Sequence, residues 1–141
     1  MEDALKYLAQ RTYSASELRE RLGQKHDSAA IESVLTRLES TGLVSEQRVI
    51  DSLSVRYSAK RGVGDSRLRE QMQNCGISSE NIDQIIESSF APETVRAAEL
   101  VRERYKAATS PAKIGRFLYS RGFDESTIES VLEHLAWPEA E

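Results

Sequence analysis

The chain has 141 residues, 39% hydrophobic and 30% charged, with a formal charge of −4 at pH 7. That balance excludes a generally basic nucleic-acid coat protein, and no run approaches the roughly 20 apolar residues of a membrane span. Cys75 is the one cysteine, so no intrachain disulfide forms, and a soluble protein of a reducing, cytoplasmic compartment is expected.

The N-terminus, Met1-Glu2-Asp3-Ala4, is acidic and carries no apolar signal-peptide core. A first helix is expected over 3–11, with Ala4, Leu5, Leu8 and Ala9 on one face. Ser14-Ala15-Ser16-Glu17 reads as a capping box, a hydroxyl cap with a glutamate three residues on. The helix it opens runs to Gly23. Asp27 or Ser28 caps the next, which carries Ile31, Val34, Leu35 and Leu38 and ends at Gly42. A long helix is then expected over 46–60, using Val49, Ile50, Leu53 and Tyr57, followed by Arg61-Gly62-Val63-Gly64-Asp65 as the most flexible loop of the folded region.

A short helix reaches Cys75, and Ser78 or Ser79 caps another that ends near Phe90. Pro92 suits a first helical turn, and the helix it opens is expected to bury Ala97, Ala98 and Val101. Ser110-Pro111 places a serine at an N-cap and a proline at the first helical position. The last helix is expected over 126–135, ended by Trp137-Pro138 with a frayed tail over 137–141. No segment alternates apolar and polar residues as a half-buried strand does.

Laid out in this way, the chain repeats itself. Leu18/Leu22, Leu68/Met72 and Ile114/Leu118 are apolar pairs four residues apart, each followed by a break and a second apolar helix. The breaks hold Gly23, Gly76-Ile77 and Gly122-Phe123, and the second helices are carried by Ile31/Val34/Leu35/Leu38, Ile82/Ile85/Ile86 and Ile128/Val131/Leu132/Leu135. A period of roughly 45 to 50 residues with helical spacing is the mark of a tandem array of small helical units. The expected fold is therefore all-α, an elongated, curved array of three three-helix repeats over 1–44, 45–91 and 92–136. Units this small are marginal alone, so neighbours must share apolar faces. An array offers a long surface, which suits binding.

No motif points to catalysis. Gly62-Val63-Gly64 lacks the third glycine, the Lys-Ser/Thr pair and the preceding strand of a phosphate loop. His26 and His134 have no Cys or second His at ligand spacing, and His134 suits a helix C-terminus. No cofactor, metal or catalytic residue is expected, and the protein is read as a non-enzyme. Charge is unevenly spread: from Glu93 to Phe123 seven cations face three acids, while Asp124 to Glu141 holds only acids. Such a basic stretch can meet a polyanion or an acidic protein face.

Two assignments compete for Ser16 to Val44. Its Glu-Leu-x-x-x-Leu, turn and Ile-x-x-Val-Leu-x-x-Leu resemble the helix-turn-helix of winged-helix regulators. That alternative makes the protein a sequence-specific DNA-binding transcriptional regulator, with Arg37 facing the major groove. A winged domain needs a hairpin after Gly42-Leu43-Val44, where this chain has a helical pattern, and the same helix pair recurs twice more.

The ordered set of segments resembles the RecX family of bacterial RecA modulators. It comprises Ala4-Leu5-x-x-Leu8, Ser16-Glu17-Leu18-Arg19-x-x-Leu22, Ile31-x-x-Val34-Leu35-x-x-Leu38 and Gly42-Leu43-Val44. It continues with Arg61-Gly62 through Leu68 and Met72 to Gly76-Ile77, then Lys113-Ile114-x-x-Phe117-Leu118-x-x-Arg121-Gly122-Phe123 and Ile128-x-x-Val131-Leu132. The chain departs from the family at Ser45-Glu46, where an acidic pair is usual, and around Gly64-Asp65, where a proline is frequent. The resemblance implies a monomer lying in the groove of the RecA filament on single-stranded DNA, with at most weak direct contact to DNA and none to membrane. It implies suppression of ATP hydrolysis, strand exchange and filament extension in recombination and the SOS response. The surface expected to meet the partner or DNA comprises Arg56, Lys60, Arg61, Arg67, Arg69, Arg102, Arg104, Lys106, Lys113, Arg116 and Arg121.

Overall fold

Local sequence signals set several helix starts. Ser14 is the N-cap of its helix: its hydroxyl accepts from the Glu17 amide at 3.0 Å, and the Glu17 carboxylate accepts from the Ser14 amide at 3.0 Å. Both bonds of the capping box are thus made, satisfying donors that a helix leaves open at its first turn. Asp27, Ser45 and Asp124 cap three further helices through their side chains. Ser78 and Ser110 stand at N-cap positions without a side-chain bond, and Pro92 is itself an N-cap rather than a first-turn residue.

A computed structural model describes residues 1–106 and 109–135. Among them are nine α-helices and no strand: α1 (Glu2–Gln10), α2 (Ala15–Leu22), α3 (Ser28–Ser40), α4 (Glu46–Arg56), α5 (Asp65–Asn74), α6 (Ser79–Ser89), α7 (Glu93–Arg104), α8 (Pro111–Ser120) and α9 (Glu125–Glu133). The expected end of the last helix at Trp137-Pro138, and the tail beyond it, lie outside the described residues.

Each run of three helices closes over its own core. Leu18, Leu22, Ile31, Leu35 and Leu38 fill the first, Leu53, Leu68, Met72 and Ile82 the second, and Leu100, Val101, Ile114 and Leu118 the third. Leu5 and Ala9, expected on the inner face of α1, point outward; Ala4 alone on that helix is fully buried. On α7, Ala97 and Val101 are buried as expected and Ala98 only partly, while Leu100 and Arg96 join them inside.

The expected long helix over 46–60 ends early. Tyr57 leaves the helical region (φ −105°, ψ 38°), and Ala59–Arg61 form a single 3-10 turn that lies along α7. Ser54 and Ser58 direct their hydroxyls onto the Ile50 and Val55 carbonyls at 3.1 and 2.9 Å, a local competition with the backbone ladder that weakens helix propagation. The segment after this turn is not a loose connector: Gly62, Val63 and Gly64 are all buried. Val63 enters the second core, and the Gly64 amide donates to the Arg121 carbonyl at 2.9 Å.

Repeats meet by equivalent contacts. The start of α2 rests on Gly76, where a Cβ would lie 2.6 Å from the Ser16 hydroxyl; the start of α5 rests on Gly122, where a Cβ would lie 3.0 Å from the Arg67 Cβ. Both glycines have positive φ (84° and 85°), so each supplies the left-handed turn and the close approach at once.

The second joint is also laced with polar bonds. Glu93, at the start of α7, accepts from the Asp65 amide at 2.6 Å and the Asp124 amide at 3.3 Å, so one carboxylate serves the N-terminal ends of α5 and α9. The Arg96 guanidinium, 9% exposed, donates to the Ala91 carbonyl at 2.7 Å and to the Val63 carbonyl, and pairs with the Asp65 carboxylate. Arg96→Ala should destabilise the fold by about 2 kcal/mol, read from the urea midpoint, because it strips charge-assisted bonds from the buried Val63 carbonyl and the part-buried Ala91 carbonyl.

Candidate functional site

The eleven cations expected to form the partner surface fall into three settings. Arg67 and Arg69 are engaged within the fold: Arg67 donates to the Ser120 carbonyl at 2.9 Å, and Arg69 pairs with Asp83 at 2.7 Å. Arg56 stands apart near the first joint, facing a small cleft with Arg11 and Glu17. The third setting gathers residues from three separate segments.

It is centred on two rings. Tyr105, capping α7, and Phe117, on α8, meet edge to face with centroids 5.5 Å apart. The Arg104 guanidinium lies 4.3 Å from the Phe117 centroid and Arg121 lies 5.1 Å from it, while the Lys113 ammonium is 6.0 Å from the Tyr105 centroid. Cations over aromatic faces gain about 0.5–1 kcal/mol each at exposed sites, so the rings hold the charges in place without neutralising them. Arg121 also donates to the Gly62 carbonyl at 3.3 Å, which ties the cluster to the turn bearing Lys60 and Arg61.

None of the cations in this cluster joins an ion pair among the described residues. Helix α8 carries Lys113 and Arg116 and no acid, and Tyr119 on it is 75% exposed. Arg102 and Lys106 are exposed and extend the charge along and beyond the end of α7, where Glu99 and Glu103 dilute it. The surface therefore combines uncompensated positive charge with aromatic edges, a chemistry suited to an anionic partner. Reading cations alone misses Tyr105 and Phe117; the sequence signal for them is the i, i+4 spacing of Lys113, Phe117 and Arg121 and the adjacency of Arg104 and Tyr105.

The remaining titratable contacts tie helices together. Arg19 holds Glu32 across α2 and α3 at 2.6 Å, which draws the Glu32 carboxyl below its ordinary value. His26 meets Asp3 at 2.8 Å and lowers that carboxyl, first through the hydrogen bond and then through charge. Half-buried Cys75 has its thiol pushed up by burial, then by the charge of Glu17, which makes it a weak nucleophile. His134 contacts the Ser130 carbonyl at 2.8 Å at the end of α9. No group of three or more His, Cys, Asp or Glu among the described residues is placed to hold a metal ion, and no described helix is long and apolar enough to cross a membrane.

The winged-helix alternative for Ser16 to Val44 is not supported by this geometry. The residues that would supply its hairpin form α4 instead, and the same helical plan recurs in the two following repeats.

Comparison with known proteins gives a consistent result. The family profile described as "RecX, first three-helix domain" matches residues 1–38. "Regulatory protein RecX" of Leptothrix cholodnii is 35% identical over 134 residues, covering 92% of this chain and 84% of that protein. "Regulatory protein RecX" of Chromohalobacter salexigens is 34% identical over 142 residues, covering 96% and 91%. The crystal structure of RecX from Lactobacillus salivarius superposes with a TM-score of 0.75 at 15% identity, covering 95% of this chain and 92% of that one. A second crystal structure, of regulatory protein RecX, superposes with a TM-score of 0.71 at 19% identity, covering 94% of this chain and 71% of that one.

Proposed function

The chain belongs to the RecX family of regulatory proteins, and from that premise we propose that it binds the RecA filament on single-stranded DNA and restrains ATP hydrolysis, strand exchange and filament extension. The observation that carries this reading is the cation cluster around Tyr105 and Phe117, outside any ion pair among the described residues and continued through Arg121 to the turn bearing Lys60 and Arg61. It joins the second and third repeats, so a partner lying along it touches two repeats together. Bridging two sites makes the second contact effectively intramolecular and raises affinity without any single strong contact.

In this reading the protein acts in the cytoplasm as a monomer, by binding rather than by chemistry. The repeats divide at 44/45 and 91/92. Arg102, Arg104, Lys106, Lys113, Arg116 and Arg121 contribute most of the contact, with Lys60 and Arg61 beside them. Arg67 and Arg69 have internal partners and hold the surface in shape instead. The cations meet acidic RecA surface, phosphates of the enclosed strand, or both in turn along the groove.

Cosedimentation tests the reading. The protein should pellet with RecA assembled on single-stranded DNA at salt concentrations that free it from bare single strands. Equal retention on bare DNA with no gain from RecA would contradict it.

A further inference from the structure

The two joints share a plan, and the comparison exposes a difference in charge. Ser45 and Pro92 are the N-caps of α4 and α7, so Glu46 corresponds to Glu93 and Val49 to Arg96. Counted from the N-caps Asp27 and Ser78, Glu39 corresponds to Phe90. At the second joint a cleft of about 370 Å³ lies beside Phe90, Pro92, Glu93 and Arg96. The joint carries its own buried cation, Arg96, and its own carboxylate, Glu93, is taken up by the amides of Asp65 and Asp124.

At the first joint the corresponding cleft is about 420 Å³ and lies between the start of α2, the α3–α4 connection and the turn at Gly76. Val49 stands where the arginine stood, and the lining holds no cation. It keeps two carboxylates, Glu39 and Glu46, both exposed and both outside any side-chain hydrogen bond or ion pair among the described residues. Arg19 feels the charge of Glu39 and is held by Glu32, and Arg48 donates its Nε–H to the Gly42 carbonyl at 2.6 Å. Val44, Val49 and Ile77 give the cleft an apolar side.

We propose that the cleft at the first joint receives an arginine side chain presented by a partner protein. Its aliphatic stem lies against Val44, Val49 and Ile77, and its guanidinium meets Glu39 and Glu46. An arginine suits this better than a lysine, because a planar fork of five donors serves two carboxylates at once and is more weakly hydrated than an ammonium. The volume is in the range that takes a drug-sized ligand, so residues flanking the arginine enter with it. An occupant that bridges the first and second repeats supplies there the cation that Arg96 supplies at the second joint.

The test uses the full chain and no RecA, so it stands apart from the filament reading. Acetyl-Ala-Arg-Ala-amide is titrated and followed by amide NMR, with the peptide bearing citrulline, the neutral isostere, as comparison. Saturable shifts at Ser16, Ser45 and Gly76 are expected, at least about tenfold weaker with citrulline and lost in the Glu39→Gln/Glu46→Gln double variant. The arginine peptide should also slow alkylation of Cys75, which lines the cleft. Equal response to the two peptides, a response unchanged in the double variant, or no saturable shift at the cleft would overturn the proposal.

Discussion

Gly64→Ala is expected to destabilise the protein by at least about 3 kcal/mol. A Cβ on Gly64 would run into the carbonyl of Gly122 and the Cα of Phe123, backbone atoms of the third repeat that have no rotamer to yield. Gly64 is buried, its amide donates to the Arg121 carbonyl at 2.9 Å, and its own carbonyl accepts from Leu68 as the first bond of α5. Relief of the clash would open the joint and break those bonds together. Gly42→Ala is the natural control: its φ is 78° but nothing lies within 4 Å of the added carbon, so only the left-handed penalty of about 1 kcal/mol applies. Urea unfolding of the two variants should separate them by at least about 2 kcal/mol. Equal loss would mean that the close packing at the second joint contributes little.

Reversing Arg104, Lys113 and Arg116 to glutamate should raise the concentration needed to inhibit RecA by at least about tenfold, while far-UV circular dichroism stays unchanged. All three are exposed and none has an ion-pair partner among the described residues, so the fold loses only contacts to aromatic rings. The same triple change at Lys6, Lys25 and Arg37, exposed residues of the first repeat with no ion pair among the described residues, should leave inhibition nearly intact. If the two sets behave alike, net charge and not the Tyr105–Phe117 cluster governs binding.

How far the sequence carried this account differs from element to element. Signals confined to one turn of chain were legible: the Ser14–Glu17 capping box, the Asp27 cap and the glycine turns at Gly76 and Gly122 all stand where the pattern put them. The apolar periodicity gave the nine helices and their cores. Features made by contact between distant segments were not legible. The stretch Gly62-Val63-Gly64 has the composition of a flexible connector, yet it is buried because Arg121 and Arg96 reach it from positions far along the chain.

Arg96 reads as one more surface cation in a basic stretch, and its burial depends on Asp65 and the carbonyls of Val63 and Ala91. Of the cations expected at the surface, two have partners inside the fold. Arg67 and Arg69 are occupied by Ser120 and Asp83, partners that periodicity does not reveal. The role of Tyr105 and Phe117 in organising nearby cations is not legible in the sequence, because a ring at helical spacing looks like core.

The proposed function is restraint of RecA on its filament. It is tested most directly by ATP hydrolysis of RecA on single-stranded DNA, titrated with this protein and run beside a binding control on the DNA alone. The account predicts inhibition at well below one molecule per RecA, under conditions where the bare strand is left largely unbound. Hydrolysis unchanged at stoichiometric protein would contradict it.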